Sequence, residues 1–367
     1  MNDSSASNDN GSERIGMIDE EDLLALQESI GQVLENQASR RQLHDHIDGK
    51  LRLDQDLWHR AGELGWLGIG LPEDCGGLAF GVRGLDVLHR ELGQRVAPGP
   101  FLASLSAALA IDDAGDEATK KEWLPLLATG ERKLAVAAQT FAADADEGWL
   151  LGDIDSDAAL LPLSESAWGI VTFAQARQID GWDRTRTMFT AKRAAQAPLA
   201  VFDADRMARS LGLHMCLGLA SESIGAARAI TEITVAYMKQ RQQFGRSIAS
   251  FQALKHRVAD MMTMIVSGEE IVSLAAESAA IGNGNAHVWA ALAKVKATDV
   301  FSHCAGEALQ LHGGVGFTWE FDVHMYLMRS RLNEMLVAPN ARLRDRAATG
   351  FALSYAAGEQ PLEFGIQ

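Results

Sequence analysis

The sequence predicts a mainly α-helical protein in which a small antiparallel β-domain separates an N-terminal helical domain from a C-terminal four-helix bundle. Three observations carry this. Apolar residues recur every three or four positions from Ile18 to Ile111. Short apolar runs divided by Gly, Asp and Ser follow from Leu134 to Thr190, and long helical stripes return from Met207 onward. The implied divisions are a polar tail over 1–16, a helical domain over 17–130, a β-domain over 131–205 and a bundle over 206–367.

The tail, MNDSSASNDNGSERIG, is small and polar without periodicity and reads as disordered. Leu23, Leu24, Leu26, Ile30, Val33 and Leu34 then build one helical face. His44-Asp45-His46-Ile47-Asp48 has the residue types of a metal site. Neighbours along a chain do not converge on one ion without further ligands, however, so no metal is expected. A helix through Trp58 runs out at Gly65, and Pro72 with Gly76-Gly77 forces an irregular loop before the next helix, through Leu85 and Gly93. Another helix spans 101–111 behind Pro98 and Pro100. The runs 134–138, 149–151, 158–163, 168–173 and 187–190 give five or six strands. Beyond Met207, Ile224, Ala227, Ile230, Val235 and Met238 form one stripe, and Phe251, Leu254, Val258, Met261, Met262 and Ile265 another. With long helices over 286–311 and 323–356 they predict an antiparallel bundle, whose methionines at 261, 262 and 264 are core filling.

A length of 367 residues, 47% of them hydrophobic, is ample for a large core and two or three domains. The formal net charge of −16 disfavours nucleic acid and anionic membranes as partners. No apolar run is long enough to span a bilayer and the N-terminus lacks a signal-peptide pattern, so a cytoplasmic protein is expected. Cys75, Cys216 and Cys304 are too scattered to form a metal or redox pair and are expected as reduced, buried thiols.

The stretch YMKQRQQFGRSIASFQALKHRVAD, residues 237–260, reads as a helix end, a break at Phe244-Gly245 and a new helix from about Ser250. Gly245 takes the left-handed conformation that closes a helix in this reading, and Ser250 caps the next one. Arg241, Gln243 and Phe244 then meet at a helix terminus, where a phosphate is the natural guest. The same residues also fit an ordinary corner with a solvated arginine.

Taken together with Gln310, Gly313, Gly314, Gly316, Phe317 and Glu320 further on, this stretch resembles the acyl-CoA dehydrogenase family. That family carries R-x-Q-F-G, then I-x-x-F-Q-x-x-K-H, and later Q-x-x-G-G-x-G-F/Y-x-x-E. Here the first two are met by Arg241, Gln243, Phe244, Gly245, Ile248, Phe251, Gln252, Lys255 and His256. Glu63-Leu64-Gly65 with Pro72-Glu73 and Gly76-Gly77, and Asp183-Arg184-Thr185-Arg186, are similar to further family motifs. The resemblance implies FAD bound across a subunit interface. Arg241 would lie on the pyrophosphate, Gln243 and Phe244 at the adenosine end, and Gln310, Gly313 and Gly314 on the phosphates. It also implies removal of a proton α to an acyl-CoA thioester by a carboxylate, with hydride transfer from the β carbon to the flavin.

The chain departs from the family at the base. One family position follows Arg329, and the matching stretch 335–340 holds no acid; Glu334 is one helical turn away. The other falls near His214-Met215-Cys216, with Asp203 and Asp205 too early and Glu222 too late. His312 and Glu320 stand in the glycine motif, where the family has a structural glutamate. The segment 139–148 is also too short for the flavin-ring motifs. The resemblance therefore implies the non-catalytic subunit of a heteromeric, α2β2-type acyl-CoA dehydrogenase similar to those of bacterial steroid side-chain degradation, with a catalytic subunit as partner. The alternatives are a complete homo-oligomeric enzyme using Glu222 or Glu334 as base, a flavin-free interaction protein, and a flavin monooxygenase on the same fold.

Overall fold

The structure, a computed structural model, describes residues 19–138, 145–318 and 321–357. The expected tail, Glu320 and most of the short segment after Ala138 lie outside the described residues. Six helices come first: α1 Glu20–Gln37, α2 Arg40–Ile47, α3 Leu53–Glu63, α4 Gly81–Gln94, α5 Phe101–Ala114 and α6 Glu117–Thr129. Ser39 and Gln42 close a capping box at the start of α2, and Asp116 accepts from the Thr119 amide at the start of α6. Helix α5 is apolar on all sides and is buried from Phe101 to Ile111, as such a helix must be. In α1, Ile30 and Leu34 are buried but Leu24 stays exposed, outside the expected apolar stripe.

The middle of the chain forms β1 Leu134–Ala137, β2 Glu147–Leu151, β3 Ala158–Pro162, β4 Ala167–Val171, β5 Phe173–Gln178, β6 Met188–Arg193 and β7 Ala200–Asp203. They make one seven-stranded sheet in the order β5-β6-β2-β1-β3-β4-β7. Two expectations are corrected. Among the described residues the sheet has seven strands rather than five or six, and it is mixed, because β1 pairs parallel to β3. The strands missed are the two edges: β5 (FAQARQ) has no apolar run, and β7 (AVFD) is too short to show one.

Asp203 ends β7 and caps α7, Ala204–Gln240, accepting from the Arg206 amide at 2.9 Å. After α7 come a hairpin of β8 Gln242–Gln243 and β9 Arg246–Ser247, then α8 Gln252–Ala280, α9 Ala286–His312, α10 Val323–Met335 and α11 Asn340–Ala356. The expected single helix over 323–356 is broken at Leu336–Pro339. There Val337 has φ +66 and Pro339 supplies no amide hydrogen. Helices α7 and α9 lie side by side in the same direction. Tyr237 stacks on His312 at one end, and Cys216 feels the charge of Lys294 near the other. Helix α4 packs so tightly on α7 that a Cβ on Gly93 would come within 2.1 Å of the Glu222 carbonyl oxygen, and one on Gly225 within 2.1 Å of the Arg90 carbonyl oxygen. Only hydrogen fits at these two crossings, and that close approach draws Glu222 into the interior.

Cys216 and Cys304 are buried free thiols, whereas Cys75 is half-buried. His44 Nε2 lies 2.8 Å from Asp322 Oδ1, tying α2 to the start of α10. No described helix is long and apolar enough to cross a membrane.

Candidate functional site

The ends of α7 and α9 form one face of the bundle. The Tyr237 hydroxyl donates to the His312 carbonyl at 3.3 Å and the two rings stack at 4.3 Å, so the segments that follow both helices leave side by side. After α7 the chain does not close with Gly245 as a helix cap. Gln242 pairs with Ser247 and Gln243 with Arg246, and Phe244 (φ 54) and Gly245 (φ 76) fill the two-residue turn between them. Ser250 is not the cap of α8 either. It sits in a 3-10 turn capped by Ser247, and α8 begins after Phe251.

Arg241, Gln243 and Phe244 are all exposed on this hairpin, Phe244 at 92%. Arg241 makes no salt bridge among the described residues, and the Gln243 side-chain amide donates to the Gln242 carbonyl. At the end of α9, Gln310, Gly313 and Gly314 are exposed, and a Cβ on either glycine would meet nothing within 4 Å. An exposed guanidinium and exposed glycine backbone are groups that suit an anion. His312 is buried with Nδ1 bonded to the Ala308 carbonyl at 2.8 Å, and burial lowers its pKa. It is a neutral structural ring rather than a reacting group.

A second region is the cleft between sheet and bundle, about 300 Å³ in volume. Val136, Ala138, Leu151 and Trp168 line it from the sheet, and Leu211, Met215, Leu336 and Val337 from the bundle. Among the described lining residues the one ionisable group is Arg346; none is a carboxylate. The break at Leu336–Pro339 therefore reaches the cleft without an acid. Ala338, behind Val337, is buried. Glu334 is half-buried, accepts from Arg331 at 3.1 Å and does not line the cleft. At the other base position, His214 is turned away, with Nε2 2.8 Å from Asp113 Oδ2.

Glu222 is locked. It accepts from Arg329 at 2.6 Å and from Arg186 on its other oxygen, and Arg329 also donates to Asp183 at 2.5 Å and to the Thr185 hydroxyl. Asn333 accepts from Arg186 and donates to Ser223. All four charges are buried. Burial alone would raise the Glu222 pKa, but the Arg186 and Arg329 charges pull it down to about 2, and Asp183 and Glu222 raise Arg329 in turn. A carboxylate held this way cannot serve as a base near neutral pH. The sequence showed D-x-T-R, Glu222 and Arg329 separately; their convergence from the β5–β6 loop, α7 and α10 had no local signal.

Two residues went unnoticed in the sequence. Lys294 is fully buried, and its ammonium donates to the Glu334 and Ala338 carbonyls and to Asn340 Oδ1 at 2.8, 3.1 and 2.8 Å, pinning both sides of the break. Burial lowers its pKa to about 8. Arg346 is the other. Both are single cations inside helices, a pattern indistinguishable from surface charge.

Comparisons with known proteins bear on this geometry. Residues 20–131 match the family description "Acyl-CoA dehydrogenase, N-terminal domain" and residues 208–350 match "Acyl-CoA dehydrogenase, C-terminal domain". The acyl-CoA dehydrogenase IpdE2 of Mycolicibacterium smegmatis is 32% identical over 315 residues, 86% of this chain and 94% of that protein. The acyl-CoA dehydrogenase FadE34 of Mycobacterium tuberculosis is 31% identical over 281 residues, which are 73% of this chain but 38% of that protein. Among solved structures, a Tcur3481-Tcur3483 steroid ACAD variant matches with a TM-score of 0.79 at 26% identity, over 92% of this chain and 99% of that one. The ChsE4-ChsE5 complex of Mycobacterium tuberculosis shares the fold, with a TM-score of 0.80 at 22% identity over 92% of this chain and 98% of that one.

Proposed function

The chain belongs to the acyl-CoA dehydrogenase family, FAD oxidoreductases acting on CH–CH bonds, and from that premise we propose that it is the non-catalytic subunit of a hetero-oligomeric, α2β2-type enzyme. The observation that carries the reading is the cleft between sheet and bundle, whose described lining holds no carboxylate. In this reading Arg241 pairs with the diphosphate of an FAD seated mainly in a catalytic partner, Gln243 and Phe244 flank the adenosine end, and the Gln310–Gly314 turn offers backbone and amide groups to the phosphates. The bound flavin supplies the hydride acceptor, and the partner supplies the base for α,β-desaturation of an acyl-CoA. Two matched structures are described as a steroid ACAD and as a two-component complex, which favours a heteromeric assembly and a steroid-derived acyl group as substrate. In the same reading the enzyme acts in the cytoplasm.

Co-expression with a full-length dehydrogenase tests this. A stable complex is expected whose flavin content drops when Arg241 is replaced by Ala, while the chain purified alone is colourless. A chain that is yellow by itself and reduces a dye with an acyl-CoA would instead favour the complete homo-oligomeric enzyme.

A further inference from the structure

Where α4, α5 and α7 meet, the fold leaves a cavity of about 20 Å³. Leucine side chains from all three helices line it, and so do His89 of α4, Ser106 of α5, and His214 and Ser221 of α7. Each of these four polar residues is more than nine-tenths buried. Among the described residues none lines both this cavity and the cleft between sheet and bundle, so the two are separate.

The polar lining can be accounted for group by group. Asp86, the one carboxylate of the described lining, is held by Arg90 at 2.9 Å. His214 Nε2 lies 2.8 Å from Asp113 Oδ2, and the Ser221 hydroxyl donates to the Leu217 carbonyl at 3.0 Å, which leaves its oxygen able to accept. The Ser106 hydroxyl makes no hydrogen bond among the described residues.

His89 is the group left over. Its Nδ1 is buried without a hydrogen-bond partner. A Cβ on Gly218, on the α7 wall of the cavity, would come within 3.1 Å of its Nε2, so this edge of the ring lies against a helix position without a side chain. Burial lowers the His89 pKa to about 4, so at neutral pH the ring carries one donor and one acceptor. Leaving both unmet in the interior is costly, and a cavity beside such a ring is where solvent meets the need. A water requires roughly 10–15 Å³ of such room; the space present suffices for one and is too small for an acyl chain.

We propose that this cavity is a binding site for a single internal water, hydrogen-bonded to the His89 imidazole and the Ser106 hydroxyl. It joins α4 to α5 beside their contact with α7. The site needs neither flavin nor partner, so it stands or falls apart from the flavin-completing role.

A high-resolution crystal structure of the full chain, repeated under xenon pressure, tests it. Density for one water about 2.7–3.2 Å from a His89 ring nitrogen, unchanged by xenon, is the expected result. A dry cavity, or one that takes up xenon, overturns the proposal. In solution, magnetic relaxation dispersion counts long-lived buried waters. His89→Phe puts an apolar ring in place of the imidazole and should hold one such water fewer than the wild type; equal counts overturn the proposal as well.

Discussion

Arg186 and Arg329 are buried, and each holds a carboxylate; Arg241 and Arg346 stand exposed without a salt bridge among the described residues. The first pair joins the β5–β6 loop to α7 and α10, and removing one member strands opposite charges in the interior. The interior pair maintains architecture, whereas the side chains of Arg241 and Arg346 have no ion pair among the described residues to hold them in place.

The contrast can be broken by experiment, the largest effect first. Arg329→Met leaves Glu222 and Asp183 buried with one fewer cation and should cost about 3–5 kcal/mol in urea unfolding; a loss under about 0.5 kcal/mol would mean that the cluster is loosely packed or wet. Acid supplies the next test. Because the folded-state pKa of Glu222 is depressed to about 2 from 4.5, its contribution is present above pH 4.5 and is lost as pH falls toward 2. The wild type should therefore lose on the order of 3 kcal/mol across that window that a Glu222→Gln variant does not lose. Equal acid slopes for the two proteins would contradict the depressed value. Gly225→Ala forces α4 away from α7 and should cost roughly 1–3 kcal/mol, seen as a lower Tm. The smallest stability change belongs to Arg241→Ala, within about 0.5 kcal/mol by the same unfolding measurement. A larger loss would place Arg241 with the architectural arginines.

Much of this was legible in the sequence where periodicity and spacing carried it. The long stripes around Ile224 and Ile265 became α7 and α8, and the stretch 335–340, found to lack an acid through the family resemblance, falls at the break Leu336–Pro339, which periodicity alone did not show. What failed was decided by contacts distant in sequence or by unusual turn chemistry. A two-residue hairpin turn favours Asn-Gly, so Phe244-Gly245 carries no hairpin signal and reads in sequence as a helix end. The edge strand β5 pairs through its backbone while most of its side chains are exposed, with only Phe173 and Ala176 packed against the core, leaving no apolar run to read. Glu222 looked like an acid one could recruit, because nothing local shows that Arg186 and Arg329 arrive from 36 and 107 residues away.

The central claim is that this chain completes a flavin site whose base lies elsewhere, and flavin stoichiometry tests it most directly. The assembly purified with its catalytic partner should carry one FAD for every two chains, with none retained by this chain after separation. One FAD for every chain, together with acyl-CoA oxidation by this chain alone, would contradict it.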